Sequence, residues 1–290
     1  MMPFEWSEPK TFAEAVALLA EGDPATRPVA GGTALMLMMK AGVFAPSRLV
    51  SLEKIEPHYS SLAIDKNGVL RLGAMAPLSA LERSQEIAEH FPIIGETMRT
   101  LSNARVRNVA RVGGALAHGD PHMDLPPLLA ALGAKAVVRG PNSVREIAVD
   151  ELYAGYYETV LEKGELIAEV FVPSLKGAKA AYLKCTSRSA DDWPALGIAV
   201  RFDLAGENGI RAPRLVVSAA TEKVTRLKAA EALLDGAEAA DSMLKQAAEA
   251  AADEVTLLPD AHGSAAYKRE LLRVYFVRAM RHALRGKQAQ

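Results

Sequence analysis

Two glycine pairs constrain this chain more than any other feature. Each ends a short apolar run and opens a helix-like stretch. The first lies in Val29-Ala30-Gly31-Gly32-Thr33-Ala34-Leu35, between Arg27-Pro28-Val29-Ala30 and the run from Leu35 to Lys40. The second lies in Arg111-Val112-Gly113-Gly114-Ala115. A strand, a glycine turn and a helix start form an anion site, because glycine leaves no Cβ between the anion and backbone N–H groups. Thr33 can cap the helix or offer its hydroxyl to the same anion. A lone Gly-Gly is ordinary loop punctuation. A diphosphate needs donors from more than one side, and two such turns supply them. Neither segment reads Gly-x-Gly-x-x-Gly or carries the glycine-lysine pattern of a P-loop, so both of those nucleotide signatures are absent.

The 290 residues suffice for two compact domains, each with its own core. A formal charge of −1 provides no basic field, which argues against nucleic acid and anionic membrane as partners. No apolar run reaches the length that spans a bilayer. The start, Met1-Met2-Pro3-Phe4-Glu5-Trp6, lacks the basic and apolar regions of a signal peptide, so a cytoplasmic location without membrane insertion is expected. The single cysteine, Cys185, excludes an internal disulfide and an iron–sulfur cluster ligated by this chain alone.

Thr11-Phe12-Ala13-Glu14 predicts a capping box opening an amphipathic helix that Gly22 stops. The first glycine turn and its helix follow, then a strand at Arg48 to Leu52, which together predict a small parallel βαβ unit. Asn67-Gly68 marks a hairpin. Helices are predicted over Pro77 to Ile87 and Pro92 to Leu101, and a short one over Asp124 to Leu132. Strands at Ala136 to Val138 and Leu166 to Val172 close this part. A boundary falls near Pro173-Ser174-Leu175-Lys176-Gly177. Beyond it come strands at Lys179 to Cys185, Ile198 to Leu204 and Arg214 to Ala219, the last two joined by Gly206-Glu207-Asn208-Gly209. Helices follow over Arg226 to Leu234, Ala237 to Ala251 and Ser264 to Leu284.

The joint pattern Val-Ala-Gly-Gly-Thr-Ala-Leu, then Val112-Gly113-Gly114-Ala115-Leu116-Ala117, then Asp120-Pro121 and Asp124-Leu125-Pro126-Pro127, resembles the FAD-binding medium subunit of the molybdenum hydroxylases. These include xanthine dehydrogenase and aerobic carbon monoxide dehydrogenase. The resemblance runs from Phe4 to about Leu284. It implies an α+β chain: a PCMH-type FAD-binding fold of two subdomains, about 1–56 and 57–176, followed by a small antiparallel sheet with helices over 177–290. It implies FAD as cofactor, a molybdopterin-binding large subunit and a 2Fe–2S small subunit as partners, and a heterotrimer paired into a hexamer. Electrons then pass through the flavin to NAD, a quinone or oxygen. Some relatives carry an inserted four-cysteine loop, which this chain lacks.

By the same resemblance, Val29 to Leu35 and Val112 to Ala115 hold the diphosphate, with the Gly113 and Gly114 amides as donors. Leu101 and Leu166 pack on the flavin ring, Asp124 accepts from FAD sugar hydroxyls, and Lys184 lies near the flavin. Trp193, in Arg188-Ser189-Ala190-Asp191-Asp192-Trp193-Pro194, covers one flavin face. Plainer readings stand beside these. Leu101 and Leu166 fit a core, Asp124 fits a helix N-cap, Lys184 an edge strand and Trp193 a junction loop. Arg111 sits where the family commonly has Ser or Thr. It is either a solvated arginine or a guanidinium partner of the diphosphate.

His118-Gly119-Asp120-Pro121-His122-Met123-Asp124 alternates histidines and carboxylates as a metal site would. Alternation aligns ligands only in a regular strand, and Pro121 opposes one, so a polar loop without metal is expected. No hydrolytic Ser-His-Asp or Cys-His arrangement can be assembled. Two other classes share parts of the pattern: a self-contained flavin oxidoreductase of the vanillyl-alcohol oxidase type, and a binding protein that has lost its cofactor.

Overall fold

The computed structural model describes residues 2–206 and 208–285. Glu207, in the expected β-turn of the C-terminal sheet, and residues 286–290 of the expected C-terminal domain lie outside the described residues.

The first lobe is the expected parallel unit, with one strand more. Strand β1 (Glu5–Ser7), helix α1 (Phe12–Glu21), β2 (Thr26–Val29), α2 (Thr33–Lys40) and β3 (Arg48–Ser51) form a parallel sheet ordered β1-β3-β2. Thr11 accepts from the Glu14 N–H at 3.1 Å, and the Glu14 carboxylate accepts from the Thr11 N–H at 3.3 Å, so the capping box is closed in both directions.

The second lobe opens with the hairpin β4 (Leu62–Ile64) and β5 (Leu70–Gly73), turning through Gly68 at φ +78. Six short helices follow: α3 (Leu78–Arg83), α4 (Gln85–His90), α5 (Pro92–Thr100), α6 (Ala104–Val109), α7 (Val112–Ala117) and α8 (Leu125–Ala131). The single helix predicted from Pro77 to Ile87 is broken at Ser84, which is extended and accepts from the Ile87 N–H at 3.2 Å. A serine that caps a new helix offers the backbone an alternative to continuing the old one. Strands β6 (Lys135–Arg139), β7 (Val144–Ala148), β8 (Tyr153–Gly155), β9 (Glu158–Thr159) and β10 (Leu166–Val172) complete the lobe. The main sheet runs β4-β5-β10-β6-β7, antiparallel throughout.

The last part is an antiparallel sheet of β11 (Ala178–Cys185), β12 (Leu196–Ala205), β13 (Gly209–Ser218) and β14 (Thr225–Arg226), with α9 (Lys228–Leu234), α10 (Asp241–Glu254) and α11 (Ala265–Arg285). Alternation assigns its two faces. Ala181, Ile198, Val200, Phe202, Leu215 and Val217 pack with the three helices. Ala180, Tyr182, Ala199 and Val216 join the core of the second lobe. The third part is therefore fused to the second through a shared core. The first lobe is joined likewise: Phe12, Val16 and Val50 pack with Met75, Leu166 and Ala168. Among the described residues, no helix is long and apolar enough to cross a membrane.

Candidate cofactor cleft

The two glycine turns meet. A Cβ built on Gly31 would lie 2.1 Å from the Val109 carbonyl oxygen and 2.9 Å from the Ala110 Cα. The first turn thus abuts the backbone that leads into α7, and only glycine permits that approach. Gly32 serves another purpose: it sits at φ +66, where an L side chain is strained, and turns the chain into α2.

Between the lobes lies a cleft of ≈ 330 Å³. All of Val29 to Leu35 line it, as do Arg111, Gly113, Gly114, Ala115 and Leu166. Phe12, Arg27, Phe44, Met123 and Tyr157 line it as well, none of which the motifs identify. Their signals are weak in sequence, because isolated aromatic and basic residues on separate elements share no spacing. His118, weighed above as a metal ligand, is instead part of this wall. Burial holds its imidazole below the usual pKa against the pull of Asp120, which favours the neutral ring.

The donors differ from expectation. Thr33 is the first residue of α2, not its cap; Gly32 is the cap residue, and no side chain bonds there. In a helix the first N–H groups have no acceptor one turn back. The Thr33, Ala34 and Leu35 amides are such groups, at the positive end of the α2 dipole and on the cleft wall. The second turn is a correction. The Val112 N–H donates to the Ala76 carbonyl at 3.1 Å and the Gly113 N–H to the Ala74 carbonyl at 2.8 Å. Gly113 is glycine because a Cβ there would lie 2.8 Å from that of Ala74. Val112 is fully buried behind the wall. Gly114 differs from both: a Cβ on it would meet nothing within 4 Å, so it faces open space in the cleft.

Besides Val112, four expected residues do not line the cleft. Leu101 is packed in the core of the second lobe. Asp124 makes no cap bond. The residues after Leu125 are Pro126 and Pro127, which have no N–H for a cap to accept. Its carboxylate instead accepts from the Tyr182 hydroxyl at 2.6 Å and the Lys184 ammonium at 2.9 Å. Burial raises the Asp124 pKa, against Lys184 and Tyr182, which favour the ion. Lys184 also donates to the Thr100 carbonyl at 2.8 Å, and it borders a second, smaller cavity with Thr97 and His282. Trp193 is 52% exposed and lies parallel to His122, ring centroids 5.5 Å apart.

The polar loop holds a hydrogen-bonded chain. Tyr157 donates to Asp120 at 3.1 Å, His122 Nδ1 lies 2.9 Å from Asp120, and His122 Nε2 lies 3.2 Å from Asp260. Lys268, wholly buried, donates to Asp260 at 2.6 Å and to the Ala219 carbonyl at 3.2 Å. Burial opposes charge on His122, but the bonds to Asp120 and Asp260 outweigh it and raise its pKa. Among the described residues, no group of three or more His, Cys, Asp or Glu is placed to hold a metal ion.

The cleft fits a phosphate-bearing cofactor. Arg27 and Arg111 lie on its wall, and among the described residues its lining includes no Asp or Glu. The buried Arg111 Nε has no partner. The remainder is apolar, as a ring system requires. A glycine-bent βαβ lobe set across such a cleft from an antiparallel lobe defines the class of two-lobed flavin-binding proteins. Comparison with known proteins makes it specific. Residues 2–175 match the FAD binding domain in molybdopterin dehydrogenase, and residues 180–283 match the CO dehydrogenase flavoprotein C-terminal domain. The carbon monoxide dehydrogenase medium chain of Hydrogenophaga pseudoflava is 31% identical, over 97% of this chain and 96% of that protein. The glyceraldehyde dehydrogenase medium chain of Sulfolobus acidocaldarius is 28% identical, over 96% and 97%. A solved structure of the Hydrogenophaga pseudoflava carbon monoxide dehydrogenase superposes with a TM-score of 0.93 at 32% identity, covering 98% of each chain. The chain belongs to the FAD-binding medium subunits of the molybdenum hydroxylase family, and FAD is its cofactor.

Proposed function

We propose that this chain carries electrons from the 2Fe–2S clusters of a small subunit to an external acceptor, within a complex whose molybdopterin-binding large subunit oxidises the substrate. The single observation that carries the reading is the meeting of both glycine turns on one cleft. Bound FAD supplies chemistry in steps of one or two electrons, which suits a relay between a one-electron donor and a two-electron acceptor. The chain's own part is binding and access. The Thr33, Ala34 and Leu35 amides hold the diphosphate, and Gly114 gives it room. Leu166, Phe12 and Met75 exclude water from the apolar part of the cleft. Lys184 and Asp124 brace the wall from behind, and Trp193 guards the junction with the C-terminal sheet. Medium chains of carbon monoxide and glyceraldehyde dehydrogenases are named as parts of larger enzymes, which supports the heterotrimer. A cytoplasmic location is part of the same proposal.

Purification from the native cells tests the reading. The protein is expected to be yellow, to release FAD on heating, and to copurify with two other chains bearing molybdenum and iron. A colourless protein that takes up no added FAD overturns the flavin site. A yellow protein that purifies alone overturns the partners.

A further inference from the structure

The second glycine turn has its inner amides engaged by its own lobe, at Ala74 and Ala76. Gly114 and Arg111 of the same turn line the cleft as well. The Arg111 guanidinium is unusual in its company. Its Nε is buried without a partner, and its Nη2 lies 3.2 and 3.4 Å from the two carboxylate oxygens of Glu53. The Arg111 side chain is 17% exposed, whereas that of Glu53 is 62% exposed. A partly buried cation is therefore satisfied only in part, and by a carboxylate that reaches in from solvent just after β3. A guanidinium has its donors arranged as a planar fork that fits phosphate on two edges at once. A partner as exposed as Glu53 contributes little and is readily exchanged.

We propose that Arg111 and Glu53 form an exchangeable ion pair in which Glu53 occupies the guanidinium until the FAD diphosphate takes its place. This rests on the flavin reading of the cleft. Arg111 then provides the charge that the second turn's amides do not, and Glu53 sets how readily the site fills. The cleft selects diphosphate-bearing flavin over riboflavin through Arg111, while the apolar wall accepts either.

The protein is isolated with any subunits that accompany it, stripped of flavin, and titrated with FAD and with riboflavin by flavin fluorescence. Arg111→Gln is expected to weaken FAD binding at least about tenfold, the scale of a lost hydrogen bond to a charged group. Its riboflavin affinity should not change. Glu53→Gln is expected to tighten FAD up to about fivefold, the scale of an exposed ion pair. In the Arg111→Gln background the same Glu53→Gln change should do nothing, since the pair is already broken. Arg111→Lys, which keeps the charge without the fork, should recover part of the loss. Unchanged FAD affinity in Arg111→Gln, with its melting temperature intact, overturns the proposal. So does a Glu53→Gln effect that persists without Arg111. Wild-type protein that binds riboflavin and FAD equally well overturns it while leaving the flavin cleft standing. Wild-type protein that binds neither overturns the flavin cleft itself, and the proposal with it.

Discussion

At the scale of single residues, the four glycines of the two turns hold their places for three different reasons, close contact at Gly31 and Gly113, positive φ at Gly32 and open space at Gly114, and the reasons separate experimentally. Gly31 is a contact glycine: alanine there would drive a Cβ to 2.1 Å from the Val109 oxygen. Gly31→Ala should cost at least about 1–3 kcal/mol, the usual range for overpacking, and should lose flavin as well. Gly114 meets nothing within 4 Å, so Gly114→Val should leave the thermal melt within about 1 kcal/mol of wild type while abolishing FAD uptake. Retained flavin in Gly114→Val would remove the second turn from the site. Lys184 and Asp124 are legible in sequence as polar residues but not as partners, since they are 60 positions apart. Lys184→Met would leave a buried carboxylate without its cation and should destabilise by about 3–5 kcal/mol, read by denaturant unfolding. The double change Lys184→Met with Asp124→Asn should restore part of that.

At the scale of elements, local chemistry was the more readable the closer its partners lay in sequence. The Thr11 and Glu14 capping box, the Asn67-Gly68 hairpin and the long amphipathic α11 each arise from residues a few positions apart. Thr11→Ala is expected to cost about 1 kcal/mol through the loss of one end of the α1 cap, measured as a drop in melting temperature. A variant with unchanged stability would show that tertiary packing alone holds the helix start. The misread elements fail for the same local reason. The helix break at Ser84 depends on a serine hydroxyl that serves equally as a helix interior or a cap. The absence of a cap at Asp124 was readable in principle, because the paired prolines at 126 and 127 remove the donors.

At the scale of the whole molecule, the FAD-binding part and the C-terminal part are clamped by Asp120, His122, Asp260 and Lys268, with Trp193 lying on His122 and His262 nearby. His122 titrates above the ordinary imidazole, so its contribution is complete below that ordinary value and is lost as pH rises through the folded one. For Asp120 and Asp260, burial opposes ionisation, but the bonds to His122 and Lys268 lower their pKa values. Their contribution is complete above the ordinary carboxylate value and lost as pH falls through the folded ones. The clamp is therefore strongest between the ordinary carboxylate value of 3.8 and the ordinary imidazole value of 6.5. In a Trp6→Phe background, Trp193 emission should change with the alkaline loss of His122 charge, and His122→Gln should abolish that step. An alkaline transition that survives His122→Gln would assign it elsewhere.

The sequence by itself determined the lobe order, the glycine bends, the antiparallel C-terminal sheet and, through the joint motif, the family. Those follow from residues that act on their immediate neighbours: glycine by lacking a Cβ, apolar side chains by their period, turn residues by their backbone preference. Tertiary structure alone decided which groups face the cleft. Gly113 and Asp124 carry the right chemistry, yet the first is engaged by Ala74 and the second by Tyr182 and Lys184. A hydrogen-bonding group satisfies whichever partner folding brings within reach, and that partner is set by packing across the whole chain rather than by spacing along it.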